Sequence, residues 1–218
     1  RAYLESVGIG KRFPGIEGVG FAACVPRERL EGFVRATRED GVPDFTVRPD
    51  GTNQPLIIVI YVVPEAPHRA LLGAEHSGDA QCRGAAEAAR DSGEAVITGR
   101  VPLPDGGREP QWGFLMLVPV YRHGLPTATL EQRRAAIEGW VFARFIMSNL
   151  MREVLGENGS PLHFEVHDNR GTGEEKIIHR GGPATPPGQV PRLTGQHSLR
   201  LGGRTWALQF ASTPAFDA

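Results

Sequence analysis

The feature that most constrains the fold is an uninterrupted apolar run at residues 56–63, LIIVIYVV. A continuous run rich in β-branched side chains is typical of a strand that is buried on both faces. A second run at residues 112–121, WGFLMLVPVY, is nearly as apolar. The two segments are therefore predicted to be central strands of one sheet.

A helix is predicted between these strands, over residues 79–90. The sequence Asp-Ser-Gly at 91–93 ends it, and a short strand is predicted at 95–98. Small side chains on one face of a helix allow it to lie close over a sheet. The residues that share this face by helical spacing are Cys82, Ala85, Ala86 and Ala89.

The flanking sequence predicts two α+β units of about a hundred residues each. The first unit adds a strand at 18–25, an amphipathic helix at 26–39 and a short strand at 45–48. A change of composition after a hinge at 123–126 marks the second unit. We predict a helix stub at 1–14, a first unit at 15–125 and a second unit at 126–218.

The second unit is predicted to begin with a helix, because Thr129 and Gln132 have the spacing of a capping box. A helix is also expected at 148–155. The dipeptide Gly202-Gly203 predicts a two-residue hairpin turn between the last two strands. Strands are expected at 140–145, 162–167, 176–179, 198–201 and 204–210.

Composition excludes some classes of function. The 218 residues carry a formal net charge of −1 with scattered arginines, so no basic patch indicates a nucleic-acid partner. No apolar run reaches the roughly 18 residues of a membrane span. Because the chain begins at Arg1, we expect it to be part of a longer protein. Cys24 and Cys82 lack metal-ligand spacing and are either two buried thiols or a single disulfide.

Catalytic signatures are absent from the sequence, which has neither a phosphate-binding loop nor a nucleophile elbow. His163, Glu165 and His167 alternate along one predicted strand, so they share a face that either is solvated or holds a metal ion. The second alternative would make the protein a metal-dependent hydrolase. No nucleophile stands next to a base, so the sequence shows no apparatus for covalent catalysis. We favour the solvated face and predict no catalytic residue, no metal site and no cofactor.

A second polar cluster follows the first apolar strand. A pocket under the 79–90 helix would have an apolar floor and a polar edge, which suits a small-molecule ligand. The alternative is an ordinary transition from strand to loop. The residues of the cluster are Glu65, His68, Glu75, His76 and Asp79.

Thr98, outside this cluster, has a hydroxyl group that either reaches a ligand or forms a hydrogen bond within its own turn.

The sequence resembles the CHASE domain, the extracellular sensory module of receptor histidine kinases and cyclases, in the order and spacing of several short motifs. No single motif is specific, but together they extend over most of residues 14–210. The motifs that carry the resemblance are PGIEGVGF at 14–21, VIYVVP at 59–64, LGAE at 72–75, the helix at 85–89 with Ser92-Gly93, Ile97-Thr98, GFLMLVPVY at 113–121 and EGWV at 138–141.

The resemblance implies a long N-terminal helix followed by two PAS-like antiparallel-sheet units. It also implies a periplasmic or extracellular location, flanking transmembrane helices outside this chain, and a homodimer formed through the N-terminal helix. Plant members bind cytokinins, with a Thr at the position of Thr98 and an acidic residue at the position of Ala66, which lies next to Glu65 in this chain. We expect a small-molecule ligand in the first unit, contacted by Tyr61, Val63, Glu65, Ala88, Thr98, Phe114 and Met116.

The expected function is therefore reception of a small-molecule signal for a cytoplasmic histidine kinase or a nucleotide cyclase such as a diguanylate cyclase. The domain itself would not be an enzyme. Two alternatives remain open from the sequence. One is the metal-dependent hydrolase centred on His163, Glu165 and His167, and the other is a dimerisation module that binds no ligand.

Overall fold

The computed structural model describes residues 15–48, 52–105, 108–156, 160–170, 176–184 and 190–217. The helix stub predicted at 1–14 lies outside these residues. The described residues form two antiparallel sheets with helices packed against them. The predicted α+β class, with two antiparallel-sheet units, is confirmed.

Within the described ranges, the larger sheet contains six strands. They are β1 (Ile16–Val25), β2 (Leu56–Val63), β3 (Val96–Ile97), β4 (Val101–Asp105), β5 (Arg108–Tyr121) and β6 (Ile137–Ile146). Their order is β2-β1-β6-β5-β3, and β4 also pairs with β5.

The smaller sheet contains four strands. They are β7 (His163–Asp168), β8 (Ile177–Gly181), β9 (Thr194–Leu201) and β10 (Arg204–Ala211). Their order is β8-β7-β10-β9. The turn between β9 and β10 is the predicted Gly202-Gly203 hairpin turn. Both glycines have positive φ, 51° and 76°, which a residue with a side chain rarely adopts.

Helices connect the strands and cover both faces of the larger sheet. None of the helices in the described ranges is both long enough and apolar enough to cross a membrane. Short 3₁₀ helices occur at Arg27–Arg29 and Arg69–Leu71. The α-helices are α1 (Leu30–Glu39), α2 (Glu65–His68), α3 (Ala80–Ser92), α4 (Leu130–Ala136), α5 (Met147–Leu155) and α6 (Pro214–Asp217).

The core has three main parts. On one face of the larger sheet, α3 packs its small residues against Trp140 and Phe142 of β6. On the opposite face, α1 and Phe45 pack on β1 and β2. The third part lies between the two sheets, where Phe114 of β5 meets Trp206 of β10 with ring centroids 5.2 Å apart. The smaller sheet is thus packed directly on the larger one.

The structure corrects the predicted position of one strand. The prediction of a boundary between residues 125 and 126 placed the strand at 140–145 in the second unit. In the structure it is part of β6, which pairs with β1 on one side and β5 on the other. Burial of Trp140 and Phe142 under α3 favours this long-range pairing.

Two further predictions about strands are wrong. β2 was expected to be a central strand, but it is the last strand in the order of its sheet. Its outer edge is covered because the nearby segment 73–76 hydrogen-bonds to it, and this covering explains its apolar sequence. The strand expected at 45–48 is reduced to an isolated bridge between Arg48 and Ala74, since Phe45 turns into the core.

Both ends of α3 are defined by the residues that the sequence placed there. The Asp79 carboxylate is the N-cap and accepts hydrogen bonds from the backbone N of Gln81 at 2.8 Å and of Cys82 at 2.9 Å. Gly93 ends the helix with φ of 81°, a left-handed conformation that favours glycine. Local sequence is therefore enough to specify this helix.

Asp79→Ala is expected to lower the free energy of unfolding by about 1 kcal/mol, because two backbone N–H groups lose their acceptor. Asp79→Asn should lower it by only a few tenths of a kcal/mol, since Asn is an equally good N-cap. Chemical denaturation of the three proteins measures both differences. Equal destabilisation by Asn and Ala would show that the carboxylate charge, rather than the cap, matters.

Candidate functional site

A cavity of about 170 Å³ lies on the face of the larger sheet that carries α3. The sheet forms its floor, and β4, the first turn of α3 and the segment 69–79 enclose it. We call this segment the roof segment. The residues that line the cavity are Ala22, Ile57, Val59, Leu71, His76, Asp79, Cys82, Val101, Pro102, Leu103, Leu115, Leu117, Phe142 and Arg144.

The floor follows from strand alternation. In neighbouring β5 and β6, Leu117 is opposite Phe142 and Leu115 is opposite Arg144. Side chains two residues apart share one face of a strand, so all four point to the same side of the sheet. The cavity therefore has an apolar floor with one arginine in it.

The roof segment is attached to the outer edge of β2 by backbone hydrogen bonds. Gly73 N donates to Val59 O at 2.8 Å, and Val59 N donates to Ala74 O at 3.0 Å. His76 N donates to Ile57 O at 2.9 Å, and the buried Glu75 carboxylate accepts from Ile57 N at 3.1 Å. These bonds hold the roof segment in place over the cavity.

Among the described residues, three polar or charged side chains line the cavity beside the apolar ones. Asp79 is exposed at the mouth, where it caps α3, and His76 is half-buried. Arg144 is 2% exposed and lies on a central strand. The cavity thus offers a buried cation within an apolar surface, with an acidic side chain at its edge.

The two cysteines are both free thiols, which settles the alternative that the sequence left open. Burial, with the nearby Asp79 carboxylate, raises the pKa of the Cys82 thiol far above its usual range. Burial also raises the pKa of Cys24 to about 11. Both thiols are protonated at neutral pH, so neither acts as a nucleophile there.

None of the seven ligand-contacting residues predicted from the sequence lines this cavity. Phe114 and Met116 lie on the opposite face of β5 and pack toward the smaller sheet. Even-numbered residues of β5 were predicted to contact the ligand, whereas the odd-numbered Leu115 and Leu117 line the cavity. A strand that is apolar on both faces has no alternation that could have distinguished them.

The other five predicted residues are also absent from the lining of the cavity. Thr98 is buried, and its hydroxyl donates to Gly99 O at 2.8 Å and accepts from Leu115 N at 3.0 Å. Ala88 is on the exposed side of α3. Tyr61, Val63 and Glu65 are half-buried at the end of β2 and the start of α2. Contact between these residues and a ligand remains a prediction.

Two members of the predicted polar cluster, His76 and Asp79, reach the cavity. Glu75 and His68 are buried instead, and the ring of His68 bonds to Pro64 O at 2.9 Å. Arg144 was not predicted from the sequence. A signal for it was present, because Arg144 occupies the same series of every second residue as the apolar Trp140, Phe142 and Ile146 of its strand.

The histidines of β7 do share one face of their strand, as predicted. Glu165 lies between them, 2.7 Å from His167 Nε2 and 3.8 Å from His163 Nε2, and Arg180 Nε donates to it at 2.9 Å. Burial opposes ionisation of Glu165, but hydrogen bonds from Arg180 and His167 keep its pKa below its usual value. Among the residues that the structure describes, no group of three His, Cys, Asp or Glu side chains could hold a metal ion.

Comparisons with known proteins agree with this architecture. The sequence model of the CHASE domain matches residues 1–179. The fold is similar to the periplasmic sensory domain of the Campylobacter jejuni chemoreceptor Tlp1, with a TM-score of 0.54 and 9% identity, over 99% of this chain and 80% of that one. At this identity the likeness concerns the fold alone.

A second similar structure is an extracellular ligand binding receptor from Desulfohalobium retbaense. Its TM-score is 0.44 with 14% identity, and the match covers 85% of this chain and 37% of the receptor. No curated protein matches the sequence.

Proposed function

Since this chain belongs to the CHASE family, whose members are extracytoplasmic sensory domains, we propose that it detects a small molecule held in the cavity beneath the roof segment. The cavity itself is the observation that carries this proposal. Protein interiors contain few voids larger than a water molecule, so about 170 Å³ of apolar space within a packed core indicates a binding site.

Contacts between the sheets support transmission of the signal. Leu115 lines the cavity, and its neighbour on β5, Phe114, packs on Trp206 of the smaller sheet. Ile97 N also donates to Gly202 O in the β9–β10 turn at 3.0 Å. A ligand that binds better to one arrangement of β5 shifts the population toward it, and these contacts carry the shift to the smaller sheet.

The sheet topology supports a boundary between the two units after α5, because β6 belongs to the larger sheet. The chain acts as a homodimer through its N-terminal helix. The signal crosses the membrane through flanking helices to a cytoplasmic histidine kinase or nucleotide cyclase.

Ala22→Phe is expected to abolish ligand binding, because Ala22 is 2% exposed and lines the cavity, where a phenyl group would occupy the space. The measurement is a thermal-shift screen of purines, amino acids, organic acids and metal ions. A ligand present at a hundredfold excess over its Kd adds about 2.7 kcal/mol to the stability of the wild type.

Ala135→Phe is the matched control, since Ala135 is exposed on α4 and does not line the cavity, and it should keep the shift. A shift that survives Ala22→Phe and disappears in Thr98→Val would contradict the cavity and support the residues predicted from the sequence. A shift given by transition metals alone and removed by His163→Ala would favour the hydrolase. The absence of any shift would favour the ligand-free dimerisation module.

A further inference from the structure

Arg144 occupies a position where the structure otherwise has apolar side chains. It lies on β6, which is flanked by β1 and β5, and is 2% exposed. Its neighbours on the same side of β6, Phe142 and Ile146, are both buried. A guanidinium group remains charged at all relevant pH values and carries several N–H donors, so Arg144 brings a fixed positive charge and hydrogen-bond donors to the cavity wall. Its position in a cavity wall therefore has consequences for what the cavity can bind.

We infer that the ligand of this cavity is a small carboxylic acid whose carboxylate pairs with Arg144 and whose body is apolar. This inference rests on the proposed function. The guanidinium group can donate two parallel hydrogen bonds to a carboxylate, and this pairing is strongest where water is excluded.

The size and lining of the cavity limit the rest of the ligand. Its volume of about 170 Å³ is close to that of a cavity that takes up benzene, roughly 150 Å³. The walls that would surround the ligand body are aliphatic or aromatic side chains of four strands. A compact ring or branched chain fits these walls, and the residues concerned are Ala22, Ile57, Val59, Leu115, Leu117 and Phe142.

Isothermal titration of this chain with benzoate, benzamide and benzyl alcohol tests the inference. The three probes have nearly the same size, but only benzoate carries a charge. We expect benzoate to bind at least about tenfold more tightly than benzamide, which is the size of effect measured for hydrogen bonds to charged groups.

Arg144→Met should reduce this preference to less than about threefold, because the apolar side chain supplies no charge. Arg144→Lys should retain part of it, since a lysine keeps the charge but loses the paired geometry. Arg152→Met is the matched control, because Arg152 is exposed on α5 and does not line the cavity. If Arg144→Met does not fold, the comparison of the three probes on the wild type still decides the question.

The other outcomes overturn the inference in distinguishable ways. Equal affinity for the three probes, lost in Ala22→Phe, would overturn the carboxylate and leave the cavity as the ligand site. A benzoate preference that survives both Arg144→Met and Ala22→Phe would place the anion site elsewhere and overturn both proposals. Failure of all three probes to bind the wild type would overturn the assignment of the ligand class, while the wider screen above would still decide the proposed function.

Discussion

Arg204→Met is expected to lower the free energy of unfolding by about 3–5 kcal/mol, the usual effect of removing one partner from a buried ion pair. Arg204 Nε donates to Asp168 Oδ2 at 2.9 Å, and Arg204 Nη2 bonds to the same oxygen. Asp168 is 2% exposed, and its other carboxylate oxygen accepts from Arg170 N at 3.1 Å. Without Arg204 the buried carboxylate would lose its charge partner.

The Arg204–Asp168 ion pair lies next to a contact between the two sheets. Arg204 is the first residue of β10, directly after the turn whose Gly202 O accepts the hydrogen bond from Ile97. Loosening this turn would weaken the contact between the sheets while leaving the cavity lining intact. We therefore expect Arg204→Met to reduce coupling between the two sheets more than ligand affinity.

Chemical denaturation measures the loss of stability, and Arg200→Met, at an exposed position on β9, is the matched control with little effect. The double variant Asp168→Asn with Arg204→Met should recover much of the loss, because no unpaired charge remains buried. Equal stability of the double variant and Arg204→Met would contradict the electrostatic explanation and indicate lost packing of the arginine side chain instead.

Gly73→Ala is expected to lower the free energy of unfolding by roughly 3 kcal/mol or more, since strain and overpacking each cost up to that amount. Gly73 has φ of 74°, and a Cβ atom placed there would lie 1.8 Å from Thr46 O. The obstruction is backbone, so no side-chain rotation can relieve it. The roof segment would have to move away from its neighbours.

This movement should also weaken ligand binding. Gly73 N donates to Val59 O, and Gly73 O accepts from Arg48 N at 3.1 Å, so displacing the glycine disturbs the bonds that attach the roof segment. Thermal denaturation and titration with the same ligand measure the two effects. Both should appear together, because the same backbone supports the fold and encloses the cavity.

Gly84→Ala is the matched control for this substitution. Gly84 is an exposed residue of α3, and a Cβ atom there would meet nothing within 4 Å. Alanine has the higher helix propensity, so this variant should be as stable as the wild type or more stable by up to about 1 kcal/mol. If Gly73→Ala were as stable as Gly84→Ala, the attachment of the roof segment described above would be wrong.

Several elements could be predicted because their signals are local. α3 is specified by its N-cap Asp79, its face of small residues and its terminal Gly93. The capping box at Thr129 and Gln132 forms as predicted at the start of α4. In each case residues a few positions apart decide the backbone conformation, so neighbours in sequence contain the information.

The candidate site could be predicted only in part. Its general place, under α3 and beside the first apolar strand, followed from the order of the elements. The lining residues did not, because β5 is buried on both faces and nothing in its sequence separates Leu115 and Leu117 from Phe114 and Met116.

By itself, the sequence determined that β2 and β5 are strands, that α3 lies over a sheet and that two glycines form the β9–β10 turn. Only the tertiary structure decided that β6 inserts between β1 and β5 and that Arg144 lies in the wall of a cavity. The physical reason is the range of the interactions. Propensity and capping act within a few residues, whereas strand partners and cavity walls depend on side chains more than a hundred residues apart, such as Ala22 and Phe142.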